Sequence, residues 1–195
     1  MLASMHDTES GLQNAARTRD GMTAVRAVLL VGFMGAGKST VGRELGRRLS
    51  WPFEDLDERI EAQEGRTVEQ IFRESGEAAF RVAEHAAVRQ LISGLKLEPR
   101  VVALGGGAFV QADNAELLET SGIPIVFLDA SPEELFRRCE AQGTNRPLQR
   151  DRAEFLKLYE ARQPHYRKAR FQIDTTGKDV KAVAEEIGRL LGLAA

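Results

Sequence analysis

The stretch Gly32-Phe33-Met34-Gly35-Ala36-Gly37-Lys38-Ser39-Thr40, directly behind an apolar run over 25–31, constrains this chain more than any other segment. It contains Gly-x-x-x-x-Gly-Lys-Ser, the pattern of a loop that joins a strand to a helix and wraps a polyphosphate. Each residue type has a physical reason. The glycines allow backbone angles that side chains forbid, so successive N–H groups can converge on an anion. The helix expected from Lys38 presents its positive end to the same place. Lys38 is long enough to reach the β- and γ-phosphates, and the Ser39 hydroxyl can ligate a Mg²⁺ bridging them. Gly35, Ala36, Gly37, Lys38, Ser39 and Thr40 are therefore the expected nucleotide contacts. A chance Gly-rich turn would not also supply the strand before it and the helical pattern over 41–49 after it.

Bulk properties narrow the classes of function. At 195 residues with 43% hydrophobic and 29% charged residues, the chain has the size and composition of one soluble domain. A net charge of −2 without a basic block lacks the electrostatic footprint of a nucleic-acid binder, and no apolar run is long enough for a membrane span. A single cysteine, Cys139, permits no internal disulfide and fits a reducing cytoplasm; in its charged helical stretch it reads as incidental. Residues 1–24 are polar and aperiodic, without a signal-peptide core, and read as a disordered extension ahead of one domain over 25–195.

Short apolar runs alternate with helical patterns along that domain. Strands are expected over 25–31, 53–56, 100–104, 124–128 and 171–174. Helices are expected over 38–49, 57–65, 77–91 and 180–191, with further helices opening at the Thr67-Val-Glu-Gln70 capping pattern and behind Ser131. Strands separated by helices imply a parallel sheet with its loops, and so its ligand site, gathered at one edge.

At the tip of the second strand, Asp55-Leu56-Asp57 would put two carboxylates on one side of an extended segment. One could face the metal held by Ser39, and the other could accept a proton from a substrate hydroxyl; equally, acids open helices. Arg81 could simply pair with Glu77 or Glu84 one turn away, a contact worth little at the surface. His85 has no evident metal partner. Gly105-Gly106-Gly107 is hard to explain by packing and suggests backbone brought close to a ligand. Asn145-Arg146-Pro147-Leu148, inside the polar segment 142–152, has the composition of a lid carrying an arginine to the transferring phosphoryl group.

Together these positions resemble the shikimate kinase family of the nucleoside-monophosphate-kinase-like group. The ordered set Asp55-Leu-Asp57, Gly76-Glu77-x-x-Phe80-Arg81-x-x-Glu84, Gly105-Gly-Gly107, Arg146-Pro-Leu148 and Arg162-x-Pro164-x-Tyr166 carries the resemblance across about 25–193. It implies a three-layer α/β/α phosphate-loop kinase fold with a five-stranded parallel sheet and a mobile lid. It implies ATP:shikimate phosphoryl transfer to the 3-hydroxyl, with Mg²⁺ as cofactor, in a cytoplasmic monomer without nucleic-acid or membrane partners. By the same resemblance, Asp57, Lys38 and Arg146 are catalytic, and Asp55 holds Mg²⁺ with Ser39. Asp57, Arg81, Gly105, Gly106, Gly107 and Arg162 bind shikimate, and Arg138 joins Arg146 at ATP. Thr175-Thr-Gly-Lys178 departs from the family's usual adenine-holding turn. A related small-molecule kinase, such as one for gluconate, and a catalytically silent shikimate sensor are the competing readings.

Overall fold

The computed structural model describes residues 25–95, 98–141 and 151–193. The apolar runs become β1 (Ala27–Val31), β2 (Phe53–Asp55), β3 (Arg100–Ala103), β4 (Ile125–Asp129) and β5 (Phe171–Asp174), paired throughout in parallel in the order β2-β3-β1-β4-β5. Parallel strands covered on both faces read as continuous rather than alternating apolar runs. The central strand β1, Ala-Val-Leu-Leu-Val, is accordingly buried at every position. Truncating Leu29 or Leu30, each 0% exposed, to alanine should cost about 2–5 kcal/mol.

Around the sheet run α1 (Lys38–Leu49), α2 (Leu56–Glu64), α3 (Val68–Leu95), α4 (Ala112–Thr120), α5 (Pro132–Ala141), α6 (Arg152–Tyr166) and α7 (Val180–Leu190). The capping pattern at Thr67 forms reciprocally: the Gln70 amide donates to the Thr67 hydroxyl at 3.1 Å, and the Thr67 amide donates to Gln70 Oε1 at 2.8 Å. Helix α3 is broken at Gly76, whose φ of 80° and ψ of 174° interrupt the helical ladder. The second half thus restarts at Glu77, one turn before Arg81.

Two helices, α4 and α6, were not legible in the sequence. Asp151 caps α6 by accepting from the amides of Ala153 and Glu154. Asp151 and Arg152 therefore belong to that helix start, not to the lid expected over 142–152. Residues 142–150, with Arg146, lie outside the described residues, as does the extension 1–24. Among the described residues no helix is long and apolar enough to cross a membrane.

Candidate active site

The phosphate loop follows β1 and ends at Gly37, the left-handed N-cap of α1. Gly35 has φ 80°, and a Cβ there would lie 2.6 Å from the Leu135 carbonyl oxygen of α5. No side chain could hold the loop in this course. The Lys38 ammonium donates to the carbonyls of Gly32 at 2.8 Å and Phe33 at 3.1 Å, which suspends its charge over the loop. The Ser39 hydroxyl donates to Asp55 Oδ2 at 2.6 Å. Two hard oxygen donors beside a phosphate loop suit Mg²⁺, which commonly binds through one or two protein oxygens and keeps several waters.

The two aspartates are placed by a helix cap rather than by strand alternation. β2 stops at Asp55, whose Oδ1 accepts from the Asp57 amide at 3.1 Å and so caps α2. Asp57 lies in the first turn of α2. Asp55 thus faces Ser39 with one oxygen and fixes the backbone of Asp57 with the other. The carboxylates both line the cleft beside the phosphate loop and open a helix, so the two readings that the sequence set against each other do not exclude one another.

The glycine run behind β3 is walled by the side chains expected to bind the acceptor. A Cβ on Gly105 would lie 2.5 Å from Asp57 Oδ1, and one on Gly107 2.5 Å from Arg81 Nη1. One on Gly106 would lie 3.5 Å from Arg162 Nη1. At Gly105 and Gly107 it is these side chains, as much as any ligand, that leave no room for a methyl group. The Arg162 Nη1 donates to the Gly106 carbonyl at 3.2 Å.

Arg81 does pair with Glu77, at 2.8 Å, but that acid is exposed. Its Nη1 also donates to Glu84 at 2.9 Å, and Glu84 is only 1% exposed. Burial pushes the Glu84 carboxyl up, the Arg81 guanidinium pulls it back down, and Asp57 and Arg162 act on it from further away. Buried ion pairs of this kind are costly to break from one side. Arg81 is therefore anchored, contrary to its reading as a weak surface pair, and the burial of its partner Glu84 is something that spacing alone did not reveal. Loop, aspartates and glycines enclose a cleft of about 420 Å³, lined among others by Lys38, Ser39, Asp55, Asp57, Gly106 and Arg162. Arg81 stands beyond that lining, against Gly107.

Arg138 belongs to the last turn of α5. Its Nε donates to Glu134 at 2.7 Å, and its two terminal nitrogens reach the hydroxyl and carbonyl of the buried Thr175 at 3.0 and 2.9 Å. The turn that departs from the family pattern thus holds the arginine expected at ATP. Cys139, read as incidental, is buried and lines the cleft, its sulfur 3.0 Å from where a Gly35 Cβ would stand. His85 Nδ1 lies 2.8 Å from Oδ1 of the buried Asn114 and takes no part in the cleft. Among the described residues no group of three or more His, Cys, Asp or Glu side chains could hold a metal ion.

A family model for shikimate kinase matches residues 34–191. A shikimate kinase from Thermus thermophilus is 44% identical over 163 residues, covering 82% of this chain and 86% of its own. One from Persephonella marina is 36% identical over 167 residues, 85% of this chain and 99% of its own. Among solved structures, a shikimate kinase from Acinetobacter baumannii in complex with shikimate superposes with a TM-score of 0.77 at 36% identity, covering 86% of this chain and 93% of that one.

Proposed function

The chain belongs to the shikimate kinase family, and from that premise we propose that it transfers the γ-phosphoryl group of ATP to the 3-hydroxyl of shikimate. The products are shikimate 3-phosphate and ADP. The observation that carries the reading is the packing of Asp57, Arg162 and Arg81 against three successive glycines, with the phosphate loop across the same cleft.

Shikimate offers a carboxylate and hydroxyls, and the acceptor side offers their complements. Arg81 and Arg162 present planar forks suited to a carboxylate. Asp57 takes the proton of the 3-hydroxyl as its oxygen forms a bond to the γ-phosphorus and the bond to the β-phosphate oxygen breaks. Backbone N–H groups at Gly35, Ala36, Gly37, Ser39 and Thr40 receive the phosphates, and Lys38 balances charge on the transferring group. Ser39 and Asp55 would hold Mg²⁺, which when bound neutralises the phosphate oxygens. Arg146 is the lid arginine that meets the γ-phosphoryl group, and Arg138 lies along the nucleotide's base. The protein is a cytoplasmic monomer, with residues 25–195 as one kinase domain behind an extension over 1–24.

A coupled ADP-release assay with shikimate, quinate, gluconate and nucleoside monophosphates tests the assignment. Turnover with shikimate far above the others is expected. Turnover with gluconate alone, or shikimate binding without ADP release, would replace this reading with one of its competitors.

A further inference from the structure

Tyr166 is among the largest fully buried side chains, 1% exposed, with its ring stacked on Phe127 of β4 at a centroid distance of 5.5 Å. A buried phenol needs a polar partner. Tyr166 finds it in the Gly106 carbonyl, to which its hydroxyl donates. The same oxygen accepts from Arg162 Nη1 at 3.2 Å. Arg162 and Tyr166 are four residues apart on α6 and so share a face. A carbonyl oxygen has two lone pairs, and these two donors use both. Tyr166 does not line the cleft, so whatever it does for a ligand passes through Gly106 or through Arg162 itself, whose guanidinium acts on the phenol.

We propose that Tyr166 is a positioning residue for capture of the acceptor: its hydroxyl locks the Gly106 peptide, and the locked carbonyl holds the Arg162 guanidinium where the acceptor's carboxylate arrives. The proposal rests on the reading that Arg162 binds that carboxylate. A run of three glycines has more backbone freedom than any other tripeptide, so its orientation has to be imposed from outside. Because the peptide unit is planar, fixing the Gly106 carbonyl also fixes the direction of the Gly107 N–H. One buried hydroxyl therefore sets both an arginine and a stretch of backbone. A phenol is protonated throughout the neutral range in any case, and burial pushes this one further up, to about 12.

Steady-state kinetics and thermal melts of Tyr166→Phe, Arg162→Lys and the double variant test this. Phenylalanine keeps the ring against Phe127 and leaves Gly106 with its Arg162 partner, so no buried carbonyl is orphaned. The expected result for Tyr166→Phe is a rise of about five-fold in KM for shikimate, the equivalent of one neutral hydrogen bond. The kcat and the KM for ATP should stay within about two-fold. The double variant should lose less than the product of the single losses, since the hydroxyl acts through Arg162. Tyr166→Leu, which also removes the ring, serves as packing control and should lower Tm well below that of Tyr166→Phe. If Arg162→Lys raises KM for shikimate while Tyr166→Phe leaves it unchanged, or if the two losses multiply, the positioning role is wrong. If Arg162→Lys itself leaves KM for shikimate unchanged, the carboxylate reading falls and takes this proposal with it.

Discussion

The two sides of the cleft are built on different principles. The nucleotide side is mostly backbone: nine consecutive residues, Gly32 to Thr40, form the loop and the first residues of α1, and its lysine is tied to carbonyls only five and six residues away. The proposed acceptor side is mostly side chains brought together from afar. Asp57 comes from α2, Arg81 from α3, the glycines from the end of β3 and Arg162 from α6. A polyphosphate presents the same oxygens in every nucleotide, so a contiguous cradle of N–H groups suffices. A ring with one carboxylate and several hydroxyls needs directed, spaced partners, and several elements must supply them. The generic half of the reaction is thus local in sequence, and the specific half is tertiary.

This division can be broken or sharpened by substitution, in descending order of effect. Asp57→Asn should depress kcat by roughly 10²- to 10⁴-fold, because the amide has the same size but cannot accept the proton. Nearly full activity would remove Asp57 from the chemistry. Lys38→Met should lower turnover by about 10²- to 10³-fold with little change in Tm. Because the loop serves any acceptor, quinate or shikimate turnover should fall alike. Arg81→Lys and Arg162→Lys should instead act on one substrate. Lysine keeps the charge but loses the fork, so kcat/KM for shikimate should drop about 10- to 150-fold while KM for ATP holds. A parallel rise in KM for ATP would dissolve the distinction between the two sides.

Gly107→Ala should be milder, about ten-fold in KM for shikimate, since its methyl group displaces the movable end of Arg81 rather than backbone. Gly106→Ala, with 3.5 Å to the nearest atom, should fall below that, and parity between them would show that steric pressure on Arg81 is not the cause. Removing residues 1–21 should change neither turnover nor Tm, because no period in that segment equips it to join the core. A clear loss of either would make it part of the domain.

The same division explains what was legible beforehand. The phosphate loop could be read from nine letters because its function is carried by adjacent backbone. The sheet was legible because each buried parallel strand is a continuous apolar run. Asp55 and Asp57 do come together at the cleft as expected, but for a different geometric reason: the strand ends one residue earlier than expected, and a helix cap does the placing. Arg81 looked like a surface residue because nothing local reveals that Glu84, three positions on, is buried. Helix α6 escaped notice because Pro164 sits inside it and only Phe155, Tyr159 and Tyr166 of its fifteen residues are buried. Arg162 was therefore identified by its likeness to a family pattern, without a helix to carry it. The Tyr166 hydroxyl gave no signal of its own, since a buried tyrosine reads as packing.

The uniform direction of the five strands also has a practical side. The phosphate loop, Asp55 and the glycine run all leave carboxyl ends of strands, so the amino ends form the face turned away from the reaction. The chain enters β1 from that face, at Val25 and Arg26. The five residues of β1 span about 17 Å, which separates an attachment point there from the loop. A fusion partner, an affinity handle or a tether to a solid support joined ahead of Val25 would leave the mouth of the cleft turned outward, a favourable geometry for an immobilised catalyst or a surface-bound sensor.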